Sequence, residues 1–103
     1  QSISKNNYVK IKKGMILSNE PGYYLEKKYG IRIENLIYVD RNKKNKLEFK
    51  NMTFVPIDID LINYEMLSKK EKKYLFDYHL DVYSKISKFL NNKEKKWLIS
   101  LIK

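Results

Sequence analysis

The chain has 103 residues, with 43% hydrophobic and 33% charged side chains and no cysteine, which allows one modest apolar core and excludes a disordered tail, a disulfide scaffold and a thiolate zinc site. No apolar run approaches the roughly 20 residues of a membrane span and no secretory leader is expected, so a reducing, cytoplasmic location is favoured. The net charge of +10 comes from 20 Lys and 2 Arg spread along the chain; it predicts a solvated surface rather than nucleic-acid recognition, which favours the bidentate fork of Arg.

The first half of the sequence predicts strands and turns. Residues 15–18 form a short apolar run that is typical of a buried strand, and Pro21-Gly22 is expected to end it as a turn. The strongest strand signal covers residues 31–39, where four aliphatic side chains share one face and Arg32 and Glu34 lie on the other. This half therefore predicts a small sheet.

The second half predicts helices, after two shorter extended segments over residues 47–49 and 53–57. Ser68 and Glu71 have the spacing of a capping box, in which each side chain satisfies an unpaired backbone N–H at the start of a helix. Apolar residues at steps of three and four then mark one face of that helix: Leu75, Tyr78, Val82, Ile86 and Phe89. A second, shorter helix is predicted over residues 93–102. Strands first and helices last predict an α+β fold.

Two glutamates lie in a context that suits chemistry. Glu20 follows a predicted buried strand, and Glu34 lies within the strongest predicted strand, where an unpaired buried charge is costly. If the two strands are neighbours, the carboxylates converge, and their repulsion then requires a shared proton or a bound cation such as manganese. The alternative from spacing alone is that Glu34 pairs with Arg32 or a lysine on a solvated face, while Glu20 caps the turn.

Two motifs carry a resemblance to a known family. Residues 14–24 (GMILSNEPGYY) and residues 30–35 (GIRIEN) resemble the C-terminal signature of the aminopeptidase P, or Xaa-Pro aminopeptidase, group of pita-bread metallopeptidases. Residues 54–57 (FVPI) and the segment around Trp97 resemble the tail that follows the catalytic domain in larger, cytosolic-type members. The resemblance implies the C-terminal portion of a pita-bread fold. Its last catalytic strands would cover residues 1–46, and a tail of strands and two helices would cover residues 47–103.

The resemblance also implies a function and a set of site residues. The family removes an N-terminal residue preceding proline, using two metal ions, usually manganese or zinc, that activate a water. Glu20 and Glu34 match two of its five metal ligands, with Glu34 bridging both ions. Tyr24 and Arg32 match residues beside the metals that position substrate or carry protons.

The other three family ligands, two Asp and one His, lie upstream of these motifs. We therefore expect a C-terminal fragment that is inactive alone and holds no metal tightly. The expected partners are a peptide with proline at its second position and either a second copy of the chain or the missing N-terminal half of the enzyme. Asp58 and Asp60 are expected to be turn or edge residues, and His79 is expected to hydrogen-bond within the helix packing.

The alternative function comes from a different class. Some pita-bread relatives have lost their metals, so a basic, non-catalytic module that binds nucleic acid or protein is the competing prediction. A steep salt dependence of RNA binding would favour it.

Overall fold

The computed structural model describes residues 6–102 and divides the chain into two units between Thr53 and Phe54. The first unit contains five strands: β1 (Ile16–Asn19), β2 (Gly22–Leu25), β3 (Tyr29–Arg32), β4 (Asn35–Arg41) and β5 (Leu47–Asn51). The second contains two helices, α1 (Lys69–Ile86) and α2 (Asn92–Leu101). Within residues 6–102, no helix is both long and apolar enough to cross a membrane. Strands precede helices, as the sequence predicts.

The core of the first unit lies on an antiparallel sheet with the order β1-β4-β5. Alternate residues of β4 point to one face, which buries Ile37 and Val39. Leu17 of β1 stands opposite Ile37 in the ladder and packs with both of them, and Met15 lies against this cluster. This packing fixes the positions of the end of β1 and the start of β4, and therefore of the chain segments that connect to them.

These segments continue as a second, two-stranded antiparallel sheet of β2 and β3, in which every residue is exposed. The predicted turn at Pro21-Gly22 is wrong, because Gly22 begins β2 and pairs with Arg32. The chain reverses instead over residues 26–28, where Lys27 adopts a left-handed conformation with φ 57°. The predicted continuous strand over residues 31–39 is divided between β3 and β4 at residues 33–34.

The core of the second unit lies between its two helices. Tyr78, Val82 and Leu98 are buried together, with partly buried side chains around them: Phe54, Ile57, Tyr83, Ile86 and Leu90. The predicted capping box at Ser68 and Glu71 is confirmed, since both reciprocal hydrogen bonds are formed.

The ends of the helices differ in part from the predictions. Asn91 and Glu94 form a second capping box at the start of α2. The expected helical face does not extend to Phe89, because α1 ends at Ile86 and Phe89 lies 75% exposed in a short 3-10 turn. Residues 53–57 form no strand.

Candidate metal centre

Glu20 and Glu34 lie on opposite sides of the short interruption between the two sheets. Asn19 pairs with Asn35 at the end of the β1–β4 ladder, and Gly22 pairs with Arg32 at the start of the β2–β3 ladder. Two residues separate these pairs on each strand, and the Ile33 N–H donates to the Pro21 carbonyl at 3.1 Å. The register is therefore continuous, and Glu20 falls opposite Glu34. Both side chains are exposed.

Arg32 is the immediate partner of one of these glutamates. Its Nη2 lies 2.9 Å from Oε2 of Glu34, with both side chains about half exposed. Tyr24 is its diagonal neighbour on the same face of the hairpin, and hydrogen bonding with the Tyr24 side chain, together with the Glu34 charge, raises the pKa of Arg32. This ion pair is the contact that the residue spacing predicted as the alternative to metal binding by Glu34. Tyr24, Arg32 and Glu34 thus form a connected chain of polar contacts.

Three asparagines lie next to the glutamate pair and tie the strands together. Asn19 Nδ2 donates to Asn35 Oδ1 at 3.2 Å, and Asn35 Nδ2 donates to Asn51 Oδ1 at 3.0 Å. Asn35 is buried, so its amide depends on these partners. Because Asn19 precedes Glu20 and Asn35 follows Glu34, this amide ladder fixes the backbone on which both carboxylates sit.

The carboxylate pair fits a metal site in part. Oxygen donors of this type suit hard or borderline divalent ions such as manganese. In the part of the chain that the structure describes, no three His, Cys, Asp or Glu side chains are grouped so as to hold a metal ion. The two carboxylates alone are fewer than the three groups of such a site, so the assignment of Glu20 and Glu34 as metal ligands stays a prediction.

Asp58 and His79 both make structural hydrogen bonds within the second unit, and the prediction that Asp58 is a turn residue is confirmed. The Asp58 carboxylate accepts a hydrogen bond from the Asp60 N–H at 3.0 Å and caps a 3-10 turn. His79 is buried, and its Nε2 accepts a hydrogen bond from the Ile57 N–H at 3.1 Å. It also borders a cavity of about 350 Å³ in the second unit that is lined mainly by apolar side chains and Lys72.

The asparagine ladder was not predicted, although the two motifs contain a signal for it. The order is Asn-Glu in the first motif and Glu-Asn in the second. Antiparallel pairing of the two motifs in this mirrored order brings like residues opposite each other. That reading predicts both the Asn19–Asn35 pair and the Glu20–Glu34 pair.

Comparisons with known proteins agree with this fold and these motifs. Residues 45–102 match the family model described as the C-terminal region of peptidase_M24, and residues 1–41 match the metallopeptidase family M24. The fold and motifs define the C-terminal part of a pita-bread peptidase. The chain belongs to the M24 C-terminal family, and both the recognised resemblance and the predicted fold class are confirmed. The division into residues 1–46 and 47–103 stays a prediction.

Named relatives are aminopeptidases. A protein of Coprinopsis cinerea named "Probable Xaa-Pro aminopeptidase P" is 42% identical over 101 residues, covering 89% of this chain and 16% of its own length. "Aminopeptidase P2" of Arabidopsis thaliana is 40% identical over 108 residues, covering 95% of this chain and 15% of its own. The chain thus spans about one sixth of the length of the relatives it matches.

A solved structure is also similar. The X-prolyl aminopeptidase of Caenorhabditis elegans, described as a cytosolic enzyme with a di-nuclear active site, superposes with a TM-score of 0.79 at 31% identity. The match covers 90% of this chain and 17% of that enzyme.

Proposed function

We propose that this chain forms the C-terminal part of a two-metal aminopeptidase that removes an N-terminal residue preceding proline, with Glu20 and Glu34 as two of the metal ligands. The observation that carries this proposal is the opposition of the two glutamates in one continuous register. Side chains of directly opposed residues in an antiparallel pair project to the same face, which suits two ligands of one site. The di-nuclear active site of the Caenorhabditis elegans enzyme supports the number of metals.

The remaining residues of the site have roles that follow from their contacts. When bound, the metal pair supplies Lewis-acid activation of water and of the scissile carbonyl. Arg32 forms an ion pair with Glu34 and so limits the orientations of that carboxylate. Tyr24 is the diagonal neighbour of Arg32 in the hairpin and is 64% exposed, so its O–H is available to donate to a substrate atom. Tyr24 is therefore assigned to carry a proton, and Arg32 is assigned to position the Glu34 carboxylate.

An apolar face of the β2–β3 hairpin supports completion of the site by more polypeptide. The face of the hairpin opposite to Tyr24 and Arg32 carries four apolar side chains that are 37–61% exposed: Tyr23, Leu25, Tyr29 and Ile31. A contiguous exposed apolar face of this kind marks an interaction surface. We assign it to the N-terminal part of the same enzyme, which would also supply the two Asp and one His ligands. The cytosolic relative supports a cytoplasmic location for the assembled enzyme.

The chain alone is expected to be inactive, because two carboxylates make a poor binding site for a metal pair. Purified chain with manganese should release no N-terminal residue from an Xaa-Pro peptide beyond the background of its Glu34→Ala variant. Turnover above that background would contradict the requirement for further ligands.

The function itself is tested in a chimaera. This chain replaces the matching C-terminal segment of the Coprinopsis cinerea relative, and manganese-dependent release of the first residue from an Xaa-Pro peptide is measured. We expect activity that is lost in Glu34→Gln and is absent for a peptide with alanine in place of proline. A folded chimaera that cleaves neither peptide, or a Glu34→Gln chimaera with full activity, would contradict the proposal.

A further inference from the structure

We infer that Gly22 and Gly30 are positioning residues: they form a strip free of side chains on which the Tyr24 ring lies, so that its hydroxyl reaches Arg32. This glycine strip, defined as Gly22 and Gly30, rests on the proposed function for its catalytic consequence but not for its geometry.

The strip follows from the register of the hairpin. Tyr24 stands opposite Gly30, and Gly22 stands opposite Arg32. Residues two apart on a strand share a face, so all four lie on one face of the β2–β3 sheet. Tyr24 and Arg32 are therefore diagonal neighbours, and a long aromatic side chain spans such a diagonal only if nothing stands between.

The tyrosine ring fills the space of both missing side chains. A Cβ atom added to Gly30 would lie 2.6 Å from Cδ1 and 3.0 Å from Cε1 of Tyr24. A Cβ atom added to Gly22 would lie 2.6 Å from the Tyr24 hydroxyl oxygen and 2.8 Å from Cζ. Gly30 thus lies under the body of the ring, and Gly22 lies under its hydroxyl end.

Backbone conformation does not explain these glycines. Gly14 has a positive φ of 87°, but Gly22 and Gly30 do not, so alanine would meet no backbone strain at either position. Glycine within a strand marks a close approach, and an aromatic side chain across from it compensates the missing contact. The space occupied by Tyr24 is therefore the reason for glycine here.

The strip determines where an exposed side chain points. Tyr24 is 64% exposed, and without contact with the glycine strip its ring would sample several rotamers. Lying over the strip, it contacts Arg32, which in turn lies 2.9 Å from Glu34. Displacing the ring removes one of the two partners of Arg32.

The geometry is tested in the 103-residue chain by NMR. A ring over a glycine shifts the glycine Hα resonances upfield, so Gly22 and Gly30 should show upfield Hα shifts that disappear in Tyr24→Leu. Tyr23→Leu, on the opposite face, is the matched control and should leave them unchanged. Random-coil Hα shifts at both glycines, or shifts that persist in Tyr24→Leu, would overturn the inference.

The catalytic consequence is tested in the chimaera by a double-mutant cycle. Gly30→Ala should lower kcat about 10- to 100-fold with little change in KM, the range expected for a misplaced catalytic group. In a Tyr24→Phe background, Gly30→Ala should have almost no further effect, because the hydroxyl it displaces is already gone. Additive effects would overturn the inference. If the folded chimaera is inactive while the 103-residue chain shows the upfield glycine shifts, the proposed function is refuted and the glycine strip stands.

Discussion

Glu20 and Glu34 stand opposite each other in the register of two antiparallel strands, at the two-residue step where the ladder between them is interrupted. The β1–β4 pairing ends at Asn19 and Asn35 on one side of this step, and the β2–β3 pairing begins at Gly22 on the other. Regular pairing on both sides holds the two backbones at sheet spacing. The interruption therefore places an acidic pair between two stretches of regular pairing, an arrangement that suits the proposed metal site.

Arg32 is expected to act through its geometry as well as its charge. Arg32→Lys in the chimaera keeps the charge but loses the planar fork that contacts Tyr24 and Glu34 together, so kcat should fall about 10-fold or more. Arg41→Lys is the matched control, because Arg41 donates to the Asn45 carbonyl in a distant turn. Stability should be unchanged in both variants, because exposed ion pairs contribute little to it. Equal activity of the two variants would contradict the role of Arg32.

The asparagine ladder is expected to stabilise the sheet next to the glutamates. Asn35→Leu removes a buried amide and its hydrogen bonds to Asn19 and Asn51, which should cost about 1–3 kcal/mol. The measurement is hydrogen exchange of the Val39 amide, which donates to the Met15 carbonyl at 2.9 Å. Its exchange should accelerate in Asn35→Leu.

The control for this experiment is Asn63→Ala in the second unit. The Asn63 side chain makes no capping hydrogen bond at the turn that it precedes. Exchange at Val39 should be the same in this control as in the original chain. Unaltered exchange in Asn35→Leu would show that the ladder adds no stability to β4.

Two valines provide a matched test of the second core. Val82 is completely buried, whereas Val55 is 63% exposed. Val82→Ala should lower the free energy of unfolding by about 2 kcal/mol through lost burial and a residual cavity. Val55→Ala should change it by less than about 0.5 kcal/mol. Urea unfolding followed by Trp97 fluorescence measures both, and equal losses would refute the assigned core.

His79 is expected to make the second unit sensitive to acid. Burial lowers the pKa of His79, because desolvation disfavours the charged ring, and protonation of Nε2 would also remove the acceptor for the Ile57 N–H. As the pH falls below about 6.5, His79 takes up a proton in the unfolded chain before it does so in the folded chain, and the free energy of unfolding therefore decreases. Above that pH, the contribution of neutral His79 to stability is fully present.

The measurement compares urea unfolding at pH 7.5 and pH 5.0 in the original chain and in His79→Gln. The side chain of the variant does not titrate, so it should lose less stability between the two pH values. Lys72 borders the same cavity as His79 and is unchanged in both proteins. An identical loss in the two proteins would contradict the buried, neutral state of His79.

Local signals in the sequence predicted the helical half well. The Ser68–Glu71 spacing is a contact within one turn, so no tertiary information is needed to read it. The prediction that Phe89 lies on the helical face was wrong, because the apolar period continues past the end of the helix. The period carries no information on where a helix ends. The buried role of His79 followed from its position on that helix.

The strand half depended on pairing, which local signals do not contain. Pro21-Gly22 resembles a turn, but the pairing of Gly22 with Arg32 keeps the chain extended, and Lys27 makes the turn instead. The sequence predicted that Glu20 and Glu34 converge only if their two strands are neighbours. The mirrored Asn-Glu and Glu-Asn order contained that pairing in the sequence.

Metal content of the purified chimaera tests the central claim most directly. Elemental analysis should find two divalent ions per chain in the chimaera and fewer in Glu20→Gln and in Glu34→Gln. Glu26→Gln, in the hairpin turn, should retain two. Two ions bound after both Glu20 and Glu34 are replaced would contradict the assignment of these residues as metal ligands.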